Sequence, residues 1–175
     1  MSSDDGSVDD DPQLELLTLL RDEFVAGGIE CGVSTAVGGV PAQLIVDVAG
    51  ANSVHICFLP DHDQPPVLQY LVALDIDLDV GCAADAARFV ALVNASLPIA
   101  GFELSESASA VVFRYVQPVF VHPLDPAVIA WPLSMIHYAV RYFGELVSAA
   151  CTGVAYDELA ARFATMQAEL LPDDE

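Results

Sequence analysis

Apolar positions along the chain change from a helical spacing to an alternating one and back, which divides it into predicted elements. The first apolar run begins at Pro12, directly after Asp11, and stops at Gly27-Gly28. Aspartate caps helix N-termini and proline is favoured at the first helical position, so this run predicts an amphipathic helix. Its apolar positions are Leu14, Leu17, Leu20 and Phe24.

From Ile29 the apolar residues recur at every second position, as in strands that are buried on one face. Glycine and asparagine at 38–39 and 50–52 mark turns between three such runs, which predicts an antiparallel meander. A long fourth strand follows the proline-bounded loop 60–66. The predicted strands are 30–37, 42–48, 53–59 and 67–78.

The second half predicts a helix, a hairpin and two more helices. The second helix covers 83–97, and a serine-rich turn joins hairpin strands at 101–104 and 110–117. Leu124-Asp125-Pro126 repeats the starting signal of the first helix and begins a long third helix that Gly153 ends. Pro132 lies inside this helix and is expected to kink it or split off its first turn. A final amphipathic helix is predicted at 156–170.

These elements follow the order α-β-β-β-β-α-β-β-α-α, which is typical of an α+β protein with an antiparallel sheet packed against helices. At 175 residues the chain fits one domain. We predict a single α+β domain over 12–171, between acidic tails at 1–11 and 172–175.

Composition indicates a folded protein with an unusually acidic surface. The chain is 54% hydrophobic and 18% charged, with 26 acids, five arginines, no lysine and a net charge of −21. Such a surface repels nucleic acid and anionic membranes, so we expect neither as a partner. It is compatible with a basic protein partner or with adaptation to high salt.

The cysteines and the N-terminus favour a cytoplasmic protein. Cys31, Cys57, Cys82 and Cys151 form no Cys-x-x-Cys pair, so reduced and mostly buried thiols are expected. The acidic N-terminal stretch lacks a signal-peptide pattern, and the longest apolar run, 127–140, is too short to span a bilayer.

Few residues suggest chemistry, and we expect no enzyme activity and no cofactor. Strand alternation places His55 and Cys57 on one face, roughly 7 Å apart, but no third group is identifiable to complete a nucleophile and base pair. Asp75, Asp77 and Asp79 alternate like calcium ligands, yet Ala86 occupies the position that needs a bidentate glutamate. No phosphate-binding loop or nucleophile elbow is present.

A metal or ligand sensor is the alternative function. Asp61, His62 and Asp63 could hold a divalent ion weakly, with His55 as a further ligand, although neighbouring loop residues rarely converge on one ion. His122 and His137 are expected to be surface or hydrogen-bonded core histidines.

The second face of the predicted sheet is the stronger functional signal. It is too apolar for a face left in water, so we expect a partner subunit, a client segment or the remaining helix of the chain to cover it. Its predicted members are Ile45, His55, Cys57, Leu59, Leu71, Ala73, Val112, Arg114 and Val116.

The order of elements and four short motifs resemble the YbjN family, which is similar in fold to the type III secretion chaperones. The motifs are residues 89–94, the turn 97–102, Val112-Phe113-Arg114-Tyr115 and Tyr142-Phe143-Gly144. The resemblance covers about 12–153, so the helix within 154–171 is an addition.

This resemblance implies a homodimeric, non-enzymatic protein that binds a polypeptide or regulatory partner. It also implies that its motif residues shape the scaffold rather than an active site. These residues are Asn94, Leu97, Pro98, Gly101, Phe102, Phe113, Tyr115, Tyr142 and Gly144.

Overall fold

The structure is a computed structural model that describes residues 12–47, 53–59, 66–99, 101–105, 107–119 and 125–170. It contains four helices and a six-stranded antiparallel sheet, which confirms the predicted α+β class and order of elements. The helices are α1 Pro12–Ala26, α2 Ala83–Asn94, α3 Pro126–Cys151 and α4 Tyr156–Leu170. The strands are β1 Cys31–Ser34, β2 Gln43–Asp47, β3 Ser53–Phe58, β4 Val67–Asp77, β5 Phe102–Ser105 and β6 Ala110–Pro118.

The sheet has the strand order β1-β2-β3-β4-β6-β5, so the first three strands form the predicted meander. The β5–β6 hairpin joins the sheet through its second strand. At the tip of the first hairpin, Val37 and Val40 form an isolated bridge around Gly38 and Gly39. Both glycines have positive φ, 61° and 86°, as required by the tight turn whose twist matches the flanking strands.

The chain divides into two compact units. The first consists of Met1–Tyr70 with Val116–Ala130, and the second of Leu71–Tyr115 with Trp131–Glu175. The prediction of a single domain stays a prediction.

In the first unit, α1 packs against β1 and β2. Leu17, Leu20 and Phe24 lie three or four positions apart and are all buried, as the helical spacing predicted. The thiol of Cys31 hydrogen-bonds to the carbonyl of Arg21 at 3.7 Å, which shows that this side of β1 faces the helix. The buried strand residues of this unit are Leu44, Val46, Val54, Ile56, Cys57, Phe58, Leu68 and Tyr70.

Tyr70 connects three elements of the first unit. Its side chain is fully buried, and its hydroxyl lies 3.0 Å from the carbonyl of Ile129 and 3.3 Å from Oε1 of Gln117. A buried phenol needs such a partner, so the hydrogen bonds fix β4 against the beginning of α3 and the end of β6.

The second unit has an aromatic core, in which α2 packs against α4 and β5. Phe163 of α4 contacts Phe89 of α2 edge-on, with ring centroids 6.2 Å apart, and lies 5.6 Å from the ring of Phe143. Phe102 and Phe113 make a second edge-on pair across the β5–β6 hairpin, at 5.1 Å. Edge-to-face rings are favoured because the positive ring edge meets the negative ring face.

Asp125 lies at the start of α3 as predicted, whereas Asp79 caps the 3-10 turn Val80–Cys82 that precedes α2 and not α2 itself. Asp79 accepts a hydrogen bond from the amide of Gly81, and Asp125 accepts one from the amide of Ala127. α3 runs through Pro132 as one helix, so the predicted splitting off of its first turn is wrong, while a kink at Pro132 stays a prediction. Interior proline costs about 3 kcal/mol. We attribute the continuity to burial of the apolar stripe that α3 carries on both sides of Pro132, which includes Ile129, Leu133, Ile136 and Ala139.

Asn94, the last residue of α2, holds the start of the hairpin. Its amide nitrogen donates to the carbonyl of Phe102, and its amide oxygen accepts from the amide of Phe102, both at 2.9 Å. Helix α2 therefore ends three residues earlier than predicted. A Cβ at Gly101 would lie 2.2 Å from the Asn94 oxygen, so glycine is required here by close approach rather than by positive φ.

The other motif residues of the resemblance differ in their surroundings. Phe113 is buried and Tyr115 half-buried, while Leu97 is half-buried and Pro98 exposed. Tyr142 is exposed and rests on the ring of Tyr138 at 4.7 Å. Gly144 has open space where a Cβ would lie.

We predict that Gly101→Ala destabilises the protein by about 2–4 kcal/mol, because the new methyl group displaces the Asn94 amide and breaks both of its hydrogen bonds. Urea denaturation of the variant and the parent measures this change in the free energy of unfolding.

Gly32→Ala is the matched control, because Gly32 is an exposed strand glycine with nothing within 4 Å of a Cβ. It should change the free energy of unfolding by less than about 1 kcal/mol. Adding Gly101→Ala to Asn94→Ala should cost much less than Gly101→Ala alone, since the clashing amide is then absent. Additive costs would contradict the steric explanation.

Candidate functional site

The predicted second face begins, in the first unit, with a half-buried group on β2 and β3. Ile45 lies directly opposite His55 in the strand register, and both side chains are half-buried. The His55 ring hydrogen-bonds through Nδ1 to the side-chain oxygen of Gln43 at 2.7 Å. Leu59 is half-buried and Val116 is exposed. We call Ile45, His55, Leu59 and Val116 the first patch.

Cys57 differs from its neighbours on this face. Its relative exposure is 5%, so it does not offer surface to a partner. The side-chain amide of Gln69 donates to its sulfur at 3.9 Å. Burial raises the pKa of the Cys57 thiol, and the weaker opposing effect of the Gln69 hydrogen bond does not cancel it. Cys57 therefore supports the first patch from beneath as a neutral thiol.

The second unit carries its own group of partly exposed side chains. Leu71 and Val112 are half-buried, whereas Ala73 and Arg114 are exposed. We call these four residues the second patch. The Nε atom of Arg114 donates to both carboxylate oxygens of Glu103, at 2.9 and 3.0 Å. An exposed pair of this kind contributes about 0.2–1 kcal/mol, so it orients the side chains more than it stabilises the fold.

Strand alternation explains why the two faces differ. In β4, Leu68, Tyr70, Val72 and Leu74 are buried, while the residues between them are half-buried or exposed. The same alternation marks β2 and the first part of β6. Helices account for the buried side in the first unit, where α1 packs on β1 and β2. The patches are therefore apolar positions of strands whose other side supplies the core.

The predicted nucleophile and base candidates have other hydrogen-bond partners. In the described residues the His55 ring is hydrogen-bonded to Gln43 and the Cys57 thiol to Gln69, and no hydrogen bond joins His55 to Cys57. Asp75 and Asp77 are exposed at the end of β4, and Asp79 serves as a cap.

Most of the predicted metal ligands lie outside the described residues. Over the residues that the structure describes, no group of three or more histidine, cysteine, aspartate or glutamate side chains could hold a metal ion. Asp61, His62, Asp63 and His122 lie outside the described residues. His137 is half-buried on α3.

Four of the five arginines form weak, exposed ion pairs with nearby carboxylates. Arg21 with Asp22, Arg88 with Asp85, Arg114 with Glu103 and Arg162 with Glu158 pair within or between neighbouring segments. Because acids exceed arginines 26 to five, most carboxylates have no cation to neutralise them. The patches therefore lie on a strongly negative protein.

The polar partners of the patches were missed from the sequence. Gln43 lies two positions before Ile45 and Gln69 two positions before Leu71, so alternation predicts that each shares a face with its neighbour. Glu103 lies directly opposite Val112 in the hairpin register. Strand alternation and the hairpin pairing are therefore the signals that identify these three polar residues.

Among helices of the described ranges, none has the length and apolar character needed to cross a membrane. The fold defines an α+β protein, and in each unit apolar strand residues next to buried ones remain partly exposed. No family model, curated protein or solved structure matches the chain. The resemblance to the YbjN family stays a prediction.

We predict that Cys57 in the folded protein reacts with iodoacetamide more slowly than Cys82 at neutral pH. Burial limits access to Cys57 and raises its pKa, which lowers the thiolate fraction, whereas Cys82 is partly exposed. Timed alkylation followed by peptide mass spectrometry measures both rates. The difference should disappear in denaturant, and fast labelling of folded Cys57 would restore it as a candidate nucleophile.

Proposed function

We propose that the chain is a non-enzymatic, cytoplasmic protein-binding module of the kind that its resemblance to YbjN and type III secretion chaperone-like proteins implies. In this proposal a polypeptide partner binds the first or second patch, and a second copy of the chain pairs through the same type of surface. The supporting observation is that apolar side chains of both patches remain partly exposed while the alternate positions of the same strands are fully buried.

The energetics favour a partner on these patches. A fully buried aliphatic side chain contributes about 1.5–3 kcal/mol relative to an exposed one. Ile45, Leu71 and Val112 are already half-buried, so covering each of them adds about 1 kcal/mol. Three such residues supply about 3 kcal/mol, so the rest of the affinity of a specific complex has to come from the contacts that surround them.

Polar groups beside the patches supply direction. The Gln43–His55 pair borders Ile45, and the Glu103–Arg114 pair borders Val112. A bound segment can hydrogen-bond to these groups while its apolar side chains cover the strand residues. In this proposal the Gln43–His55 and Glu103–Arg114 pairs bind a partner and catalyse no reaction.

The net charge distinguishes the two kinds of partner. Two copies of a chain with charge −21 repel each other, so salt should strengthen self-association by screening. A basic client is attracted instead, so salt should weaken its binding. Patch-dependent binding that weakens as salt is added identifies a basic client. Patch-dependent association that strengthens as salt is added identifies the homodimer.

We predict that Ile45→Asp and Leu71→Asp weaken association at least about tenfold each while the far-ultraviolet circular dichroism stays native, because a carboxylate in a covered apolar patch is desolvated. Sedimentation equilibrium measures self-association, and quantitative mass spectrometry of co-purifying proteins at two salt concentrations measures client binding.

Val37→Asp is the matched control, since Val37 is an exposed valine at the first hairpin tip and outside both patches. It should leave association unchanged. If all three variants bind alike, the patches are not the binding surface. If Ile45→Asp and Leu71→Asp unfold the protein, these residues belong to the core and the proposal fails.

A further inference from the structure

We propose that Cys82 and Cys151 form an oxidative modification site, at which a hydroperoxide converts the two thiols to an intramolecular disulfide. The bond would join the residue before α2 to the last residue of α3. Both cysteines belong to the second unit and are free thiols in the structure. The inference is independent of the proposed binding function.

Backbone hydrogen bonds bring the two cysteines together. The amide of Asp79 donates to the carbonyl of Cys151 at 3.1 Å, and the amide of Cys82 donates to the carbonyl of Asp79 at 2.8 Å. The turn that begins α2 is therefore attached directly to the end of α3. Residues 82 and 151 are far apart in sequence, so this contact is a property of the fold.

The thiol of Cys82 points toward the chain that leaves α3. A Cβ at Gly153 would lie 3.2 Å from the Cys82 sulfur, and Gly153 has a φ of 98° that glycine adopts readily. The bend after Cys151 therefore leaves room for the Cys82 side chain. Burial raises the pKa of the Cys151 thiol, and the charge of Cys82 raises it further.

The unequal exposure of the two thiols suggests an order of reaction. Cys82 is partly exposed, whereas Cys151 has 0% relative exposure. The hydroperoxide reaches Cys82 and oxidises its thiol to a sulfenic acid, with release of an alcohol or water. The Cys151 sulfur then attacks the Cys82 sulfur, which forms the disulfide and releases one water. The hydroperoxide accepts both electrons in the overall step.

The arrangement suits a reversible response rather than a permanent cross-link. Disulfides in reducing compartments are usually transient and respond to oxidants. The Cys82–Cys151 disulfide would close a loop that runs from the start of α2 to the end of α3, and this loop would restrict the conformations of the unfolded chain. Capture of the sulfenic acid as a disulfide protects Cys82 from further oxidation. A thiol reductant then restores both thiols by thiol–disulfide exchange.

The positions of the arginines allow a direct test on the full chain. The protein is treated with hydrogen peroxide, its remaining thiols are blocked with N-ethylmaleimide in denaturant, and trypsin then cleaves after arginine. Fragment 22–88 contains Cys31, Cys57 and Cys82, and fragment 142–162 contains Cys151. We expect a reducible link between these fragments in protein that retains the intact mass of one chain.

Three serine variants assign the bond. Cys82→Ser should abolish the link, while Cys31→Ser and Cys57→Ser should retain it as matched controls. The proposal is overturned if the link persists in Cys82→Ser or joins two chains. It is also overturned if Cys151 remains fully blocked by N-ethylmaleimide at peroxide doses that oxidise Cys82.

Discussion

The alternation of side chains along the strands is the constraint on which the rest of this structure depends. Successive residues of a strand point to opposite faces, so the register that places Leu44, Tyr70 and Phe113 in the core also fixes where Ile45, Leu71 and Val112 lie. A slip of one residue would exchange the two sets. The partly exposed patches are therefore not independent of the fold. They are the necessary second side of strands whose first side is fully buried.

Side-chain hydrogen bonds fix the places where alternation alone leaves freedom. In the second unit, the Asn94 side-chain amide makes the two hydrogen bonds to the Phe102 backbone that a neighbouring strand would make. It thereby determines where the β5–β6 hairpin starts after α2. Gly101 makes that contact possible by having no Cβ. In the first unit, the Tyr70 hydroxyl plays the corresponding part for α3. The Tyr70 hydroxyl is buried and the Asn94 amide half-buried, so a missing partner at either site costs more than it would in water.

The sequence predicted the features that depend on local pattern and missed those that depend on contacts. The element order, the Gly38-Gly39 turn and the helix start at Asp125 follow from spacing and residue type, and all are confirmed. The continuity of α3 through Pro132 was missed because the burial that offsets the proline is tertiary. Cys57 was assigned to the exposed face because alternation identifies a side of the strand but not the depth of burial. The pairing of β4 with β6 rather than β5 is likewise a long-range choice that no local signal encodes.

The high negative charge opposes unselective association of a protein that has exposed apolar strand positions. Exposed apolar patches promote unselective association, whereas a large net charge opposes the approach of identical or acidic chains. The described arginines are largely matched with nearby acids in exposed pairs, so they reduce the local repulsion within the fold without changing the sign of the surface. Under the proposed binding function, a partner must then offer apolar contact sufficient to compensate for this repulsion, or positive charge that removes it. In that case the patches supply the affinity, and the surrounding carboxylates restrict which chains can bind.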